Sequence, residues 1–286
     1  MKSVVITGAS TGIGRATAEY LAAQGWTVFA GVRKQADAET LTASNPAIHP
    51  LILDVTKSDQ IAAAAEFVSG QLEGAKLGGL VNNAGIAKIG PLALQPMDEI
   101  RQHFDINVLG LLGAVQAFAP LLGMETERTG TPGRIVNISS FGGRMAAPFL
   151  SAYSATKHAV ESLTDSLRRE LVVFGIDAIC VAPGAVKTPI WDKAEADEKR
   201  EPYANSRWAG PVRQFTKGFL EAGEKGWPAE DIAKVIETAL TDPSAKAHYA
   251  VGPEKLVNYS IARRMPKRLL DKGFARRFGM EPPEQG

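Results

Sequence analysis

The chain has 286 residues, is 45% hydrophobic and 22% charged, and carries a formal net charge of +1. That length and apolar content can bury one large α/β core or two smaller ones, and a balance so near neutrality leaves no electrostatic footprint for nucleic acid or another polyanion. A single cysteine, Cys180, excludes an intrachain disulfide and a cysteine-rich zinc site.

In chain order, short β-branched runs alternate with amphipathic stretches. "SVVIT" from Ser3 reads as a strand that leaves no room for a signal peptide, so a cytoplasmic protein is expected. "GRATAEYLAAQG" is helical, "TVFAGV" a strand, "AETLTAS" a helix, "IHPLILDV" a strand, "QIAAAAEFVSGQL" a helix and "GGLVNNAG" a strand. A long apolar helix follows at about 98–122, then the strand "GRIVNISS", a helix over about 152–173 and the strand "GIDAICVAPG". Strands apolar on both faces with helices between them predict a doubly wound parallel sheet. The uncharged stretch 106–124 nearly reaches membrane-spanning length, but Asn107, Gln116, three glycines and Pro120 within it indicate a buried helix rather than a span.

Beyond Pro183 the pattern changes. Residues 190–226 are rich in charge and aromatics and read as an insertion; "AEDIAKVIETALTD" is a helix, "HYAVG" a last strand, and the tail from Glu254 is basic and amphipathic. No linker or repeat divides the chain. The expectation is one α/β domain over 1–252, including a covering segment at 190–226, and a helical extension over 253–286.

"TGASTGIG", residues 7–14, lies between the first strand and the first helix. Glycines there permit a tight turn and let a pyrophosphate approach backbone N–H groups at a helix N-terminus. Neither G-x-G-x-x-G nor the Walker A spacing fits, since the glycines stand at 8, 12 and 14. Further on, "YSATK" places Tyr153 and Lys157 on one helix face, an arrangement that by itself suits either a solvated face or an acid–base pair.

Together these pieces resemble the classical short-chain dehydrogenase/reductases. "TGASTGIG" matches the family's T-G-x-x-x-G-x-G turn, and "DV" (Asp54, Val55), "NNAG" (82–85), Asn107 in "DINVLG", "NISS" (137–140), "YSATK" and "PGAVKT" (183–188) follow in the family's order. The likeness spans about residues 3–190 and implies a single Rossmann domain that binds a nicotinamide cofactor. The extended branch of the superfamily, with its sugar-nucleotide epimerases, fits worse because it has glycine at the position of Thr11.

By that resemblance Gly8, Ser10, Thr11, Gly12, Ile13 and Gly14 cradle the cofactor; Asp54 bonds the adenine amino group, with Val55 beside it. Asn82 and Ala84 line the ribose with Gly85, and Pro183, Gly184, Val186 and Thr188 hold the nicotinamide end. Asn83 is expected to be structural. The end of the second strand, "FAGVRK", has Val32 where a ribose-binding acid would stand and Arg33 next to it. A guanidinium there grips a 2′-phosphate, so NADP(H) is preferred, with NAD(H) as the alternative.

A tyrosine titrates near ~10 unperturbed, and a lysine cation one turn away favours the phenolate, which is the reason for pairing the two. The resemblance makes Tyr153 the acid or base and Lys157 its partner and a ligand of the nicotinamide ribose. Ser140 becomes the donor to the substrate oxygen, and Asn107 the holder of a proton-relay water. Ser139 is the rival serine, but the family's offset from the tyrosine points to Ser140. Four scattered histidines show no ligand spacing, so no metal is expected, and no G-x-S-x-G elbow supports a serine hydrolase.

The C-terminal part resembles, loosely, the hydroxysteroid and retinol dehydrogenase subgroup. Trp191, Tyr203, Trp208 and Phe215 in the covering segment either pack it onto the body or line a pocket for a bulky apolar ketone or alcohol; Phe141 and Phe149 are further wall candidates. A homodimer or homotetramer is expected from the apolar helices, and the tail is expected to border the substrate entrance. The rival class is a nucleotide-sensing relative that binds NADP(H) without catalysis, which an intact Ser140, Tyr153 and Lys157 disfavour.

Overall fold

The computed structural model describes residues 2–188, 203–252 and 264–280. Seven strands form one sheet in the order β3-β2-β1-β4-β5-β6-β7: β1 (Ser3–Ile6), β2 (Thr27–Val32), β3 (Ile48–Ile52), β4 (Gly79–Asn82), β5 (Arg134–Ile138), β6 (Asp177–Pro183) and β7 (His248–Val251). Every pairing is parallel, with Val5 opposite Phe29 and Leu80 across the central strands. The strands are apolar on both faces because helices cover both.

One face carries α1 (Gly12–Ala23), α2 (Gln35–Ser44) and α8 (Ala229–Thr241), where Leu21, Val28, Val136 and Ile236 are fully buried. The other carries α3 (Ser58–Gln71), α4 and α5 (Met97–Phe104 and Gly110–Ala119) and α6 (Ser151–Leu171), over a core with Phe29, Leu80, Phe118 and Ile135. The sheet reverses direction of winding between β1 and β4, so the carboxyl ends of those strands open a crevice.

The apolar helix differs from the even run expected of it. It continues from Met97 to Met124 with two π-helical turns, Asp105–Leu109 and Pro120–Met124. Pro120 has no N–H to give to the ladder, which accounts for the second. The first holds Asn107, whose side chain is engaged outside the helix. This 28-residue helix is apolar enough to cross a membrane by composition, yet 61% of its apolar window is buried, as in a core helix.

A further layer lies beyond the crevice. α7 (Ala209–Glu224) belongs to the described part of the insertion, and α9 (Lys267–Phe278) packs against it. Phe149, Leu150, Val212, Phe215 and Phe278 form a separate small core there, with Phe215 edge-on to Phe149 at 5.7 Å and to Phe278 at 5.3 Å.

Candidate active site

A cavity of about 550 Å³ runs along the carboxyl ends of the strands, from the glycine turn to the α7–α9 layer. At one end, Thr11 precedes α1 in extended conformation, and α1 has neither a side-chain cap nor an acid in its first turn. Its first N–H groups are thus left for a ligand, and its dipole favours an anion.

Close packing dictates the turn's glycines. Gly8 has φ +67°, and a Cβ on it would lie 2.8 Å from Ala84 Cα. A Cβ on Gly14 would lie 2.4 Å from both Asn83 Nδ2 and the Gly8 carbonyl oxygen. Asn83 donates to the carbonyls of Thr7 and Gly8 at 3.1 and 2.8 Å, and the Thr7 hydroxyl accepts from the Asn83 and Ala84 N–H groups. The turn is therefore stitched to the end of β4.

Ser10, Thr11, Gly12 and Ile13 line this end, and Val32, Arg33, Asp54 and Val55 line the next. Burial raises the Asp54 carboxyl, but bonds from the Thr56 N–H (3.0 Å) and hydroxyl (2.8 Å) and the cations of Arg33 and Lys57 outweigh it and hold Asp54 below its usual range. The Arg33 side chain is exposed. Ala84, Gly85, Pro183, Gly184, Val186 and Thr188 continue the wall, and a Cβ on Gly184 would lie 2.7 Å from the Phe141 ring.

Ser140, Tyr153 and Lys157 meet in the middle of the same cavity. Ser140 lies two residues beyond β5, and its Oγ accepts the Gly142 N–H at 3.1 Å, opening the short turn Phe141–Gly143. Lys157 is 5% exposed; its Nζ donates to the Ile138 carbonyl at 2.8 Å and lies 5.7 Å from the Tyr153 ring centre. Burial pushes the ammonium down to about 8, with Glu161 working against that. The Tyr153 phenol differs from expectation. Burial raises it, the Ser140 hydroxyl bonded to it pulls it down, and the Lys157 ammonium spends a hydrogen bond on the Ile138 carbonyl.

Four expected site residues do not line the cavity, each for a local reason. Asn82 points inward: its Nδ2 donates to Asn137 Oδ1 at 2.9 Å, and Asn137 donates on to Thr164 at 2.9 Å. Gly14 lies under the turn, where it lets α1 approach the strands. Asn107 is 1% exposed; its amide clamps Ile86, accepting its N–H at 2.9 Å and donating to its carbonyl at 3.0 Å, and also donates to Thr156 at 3.0 Å. Those bonds occupy the side chain and tie the loop after β4 to α6. Phe149 is 4% exposed with φ +64° and sits behind the wall in the aromatic cluster. Trp191 lies outside the described residues.

The far end of the cavity is apolar: Met145, Leu150, Phe215, Phe219, Phe274 and Phe278 line it, with Arg277 at the rim. Phe219 escaped the sequence reading, although Phe215, Gly218, Phe219 and Ala222 fall on one face of α7 at helical spacing. Tyr203 packs instead on Gly90, and Trp208 is 37% exposed. Behind the catalytic candidates, Glu161, Cys180 and His248 converge, a cluster invisible to spacing because three separate elements supply it.

The residues fit a dinucleotide: a cradle that a Cβ would fill, bare helix N–H groups, a cation beside the second strand, and a continuous path to Tyr153. The family model described as short chain dehydrogenase matches residues 2–199. An NADPH-dependent 3-dehydrocapnine reductase of Ornithobacterium rhinotracheale is 37% identical over 275 residues, 96% of each chain. Retinol dehydrogenase 16 of Rattus norvegicus is 30% identical over 289 residues, covering 96% of this chain and 87% of its own. The crystal structure of a short chain dehydrogenase/reductase from Burkholderia phymatum in complex with NAD superposes with a TM-score of 0.76 at 25% identity, covering 100% of this chain and 97% of that one.

Proposed function

The chain belongs to the short-chain dehydrogenase/reductase family and is an oxidoreductase of CH–OH groups; from that premise we propose that it exchanges a hydride between NADP(H) and a bulky apolar carbonyl compound or secondary alcohol, such as a steroid, retinoid or aromatic ketone. The observation that carries this reading is one continuous cavity with the glycine turn and Arg33 at one end, Ser140, Tyr153 and Lys157 in the middle, and phenylalanines at the other. NAD(H) is the alternative cofactor.

Gly8, Ser10, Thr11, Gly12 and Ile13 would hold the pyrophosphate, Arg33 the 2′-phosphate, Asp54 and Val55 the adenine, and Pro183, Gly184, Val186 and Thr188 the nicotinamide end. When bound, the cofactor supplies or accepts the hydride. The protein manages the oxygen. Ser140 donates a hydrogen bond to it, and Tyr153 gives it a proton in reduction or takes one in oxidation. The Lys157 cation beside the phenol would favour the phenolate and offset part of the cost of burying it. Phe141, Phe215, Phe219 and Phe274 hold the apolar body of the substrate.

Assembly as a homodimer or homotetramer in the cytoplasm belongs to the same proposal. Phe104 at 38% and Leu109 at 58% exposure along the apolar helix support a subunit contact. The described tail, α9, forms the wall at the substrate end. The test is loss of NADPH absorbance with a panel of aromatic and alicyclic ketones, repeated with NADH. Consumption with NADPH and a bulky ketone supports the reading; cofactor binding with no turnover of any ketone or alcohol would favour a non-catalytic sensor.

A further inference from the structure

Glu161 lies on α6 one turn beyond Lys157 and two beyond Tyr153, and is 6% exposed. Three other segments meet its carboxylate. Oε2 accepts Nε of Arg144 at 2.8 Å and lies 2.7 Å from Nη2. Oε1 accepts the Cys180 thiol of β6 at 3.3 Å and lies 3.1 Å from Nε2 of His248 on β7. The Ser139 hydroxyl also bonds to it. Glu161, Cys180 and His248 offer ligand atoms within 4.8 Å of one another, but the guanidinium of Arg144 already provides the cation. The cluster is thus an ion-pair hub rather than a metal centre.

The other end of the hub leads back to the cavity. Arg144 closes the turn that Ser140 opens: Gly143 N–H donates to the Ser140 carbonyl at 2.9 Å and Arg144 N–H to the Phe141 carbonyl at 3.1 Å. The turn also lies flat on α6. A Cβ on Gly143 would stand 2.5 Å from Ser139 Oγ, 2.9 Å from the Lys157 carbonyl oxygen and 3.1 Å from Glu161 Cγ. So short a turn, fixed at Arg144 and pressed against the helix, cannot shift Ser140 independently of Tyr153 and Lys157.

We propose that Glu161 and Arg144 are a positioning pair for the reaction, holding the Ser140 turn against the face of α6 that presents Tyr153 and Lys157. The inference rests on the proposed activity. Glu161 touches no reacting atom; it acts by geometry and as an anion whose charge supports the Lys157 ammonium.

The experiment compares wild type with Glu161→Gln, Arg144→Met and Arg144→Lys, using NADPH and 9,10-phenanthrenequinone as the probe ketone. Misplaced catalytic groups cost up to about a hundredfold, so Glu161→Gln and Arg144→Met should lose roughly 10- to 100-fold in kcat with NADPH affinity kept within about threefold. Arg144→Lys should recover part of the loss, and Glu161→Gln should move the high-pH limb of kcat/KM to lower pH. Backbone hydrogen exchange over residues 139–145, measured without substrate, should rise in both strong variants while that of β1 stays unchanged. Wild-type kinetics and pH profile in Glu161→Gln and Arg144→Met would overturn the proposal, as would unchanged exchange in that turn. If wild type fails to reduce the probe, the activity reading suffers and the exchange comparison alone judges the pair; if Glu161→Gln does not fold, the two Arg144 variants, altered at a side chain 30% exposed, decide it.

Discussion

Replacing Arg33 with alanine tests the cofactor assignment where its physical basis is most local. The guanidinium follows β2, lines the cavity, and is close enough to Asp54 to depress its carboxyl. A charged hydrogen bond to a phosphate contributes about 1.5–3 kcal/mol, and each 1.4 kcal/mol is tenfold. Because the side chain is exposed, solvent screening favours the lower half of that range. Arg33→Ala should therefore raise Kd and KM for NADPH roughly ten- to fortyfold and leave NADH within about twofold. Fluorescence titration with both cofactors at low and high salt measures this, and the wild-type preference should itself shrink as salt rises. A wild type that prefers NADH, or a variant that weakens both cofactors equally, would refute the reasoning.

Gly14→Ala puts a methyl into the Asn83 amide and the Gly8 carbonyl, so urea denaturation should show a loss of at least ~1–3 kcal/mol together with weakened cofactor binding. Asn83→Ala removes two bonds from the turn and should cost about 1–3 kcal/mol, with most of the functional loss in cofactor affinity rather than turnover. For Lys157, burial lowers the folded-state pKa to about 8 from 10.5, so the native state binds fewer protons than the unfolded chain between those values. The stability contribution of this group thus rises with pH across that window, while the rate of carbonyl reduction falls above about pH 8 as the ammonium is lost; Lys157→Met should abolish both trends. Sedimentation velocity at micromolar concentration should give a dimer or tetramer, and a monomer would count against the subunit contact.

The parallel sheet was legible because its strands lack alternation: SVVIT, GGLVNN and DAICVAP are apolar on both faces, and only a sheet covered twice accommodates that. The glycine turn and the Tyr–Lys pair were legible because each depends on residues adjacent in sequence or one helical turn apart. The direction of side chains at strand ends was not. Asn82 and Asn83 are neighbours with opposite orientations, so the pleat sends one into the interior toward Asn137 and the other to the glycine turn. Asn107 sits where the helix widens by one residue, which no propensity pattern announces. Phe149 turns behind the wall through a left-handed backbone conformation, again without a sequence signal. The Glu161 hub joins α6, the Ser140 turn, β6 and β7, so only the folded chain assembles it.

The measurement that bears most directly on the account is Tyr153→Phe. The substitution removes one hydroxyl from a ring held in place by Leu150, Phe215 and their neighbours, so the variant should fold and bind NADPH as wild type does. Single-turnover reduction of a ketone by bound NADPH should nevertheless slow by at least ~10²-fold, the scale of general acid catalysis. Near-normal hydride transfer in a folded, NADPH-saturated Tyr153→Phe enzyme would contradict the central assignment.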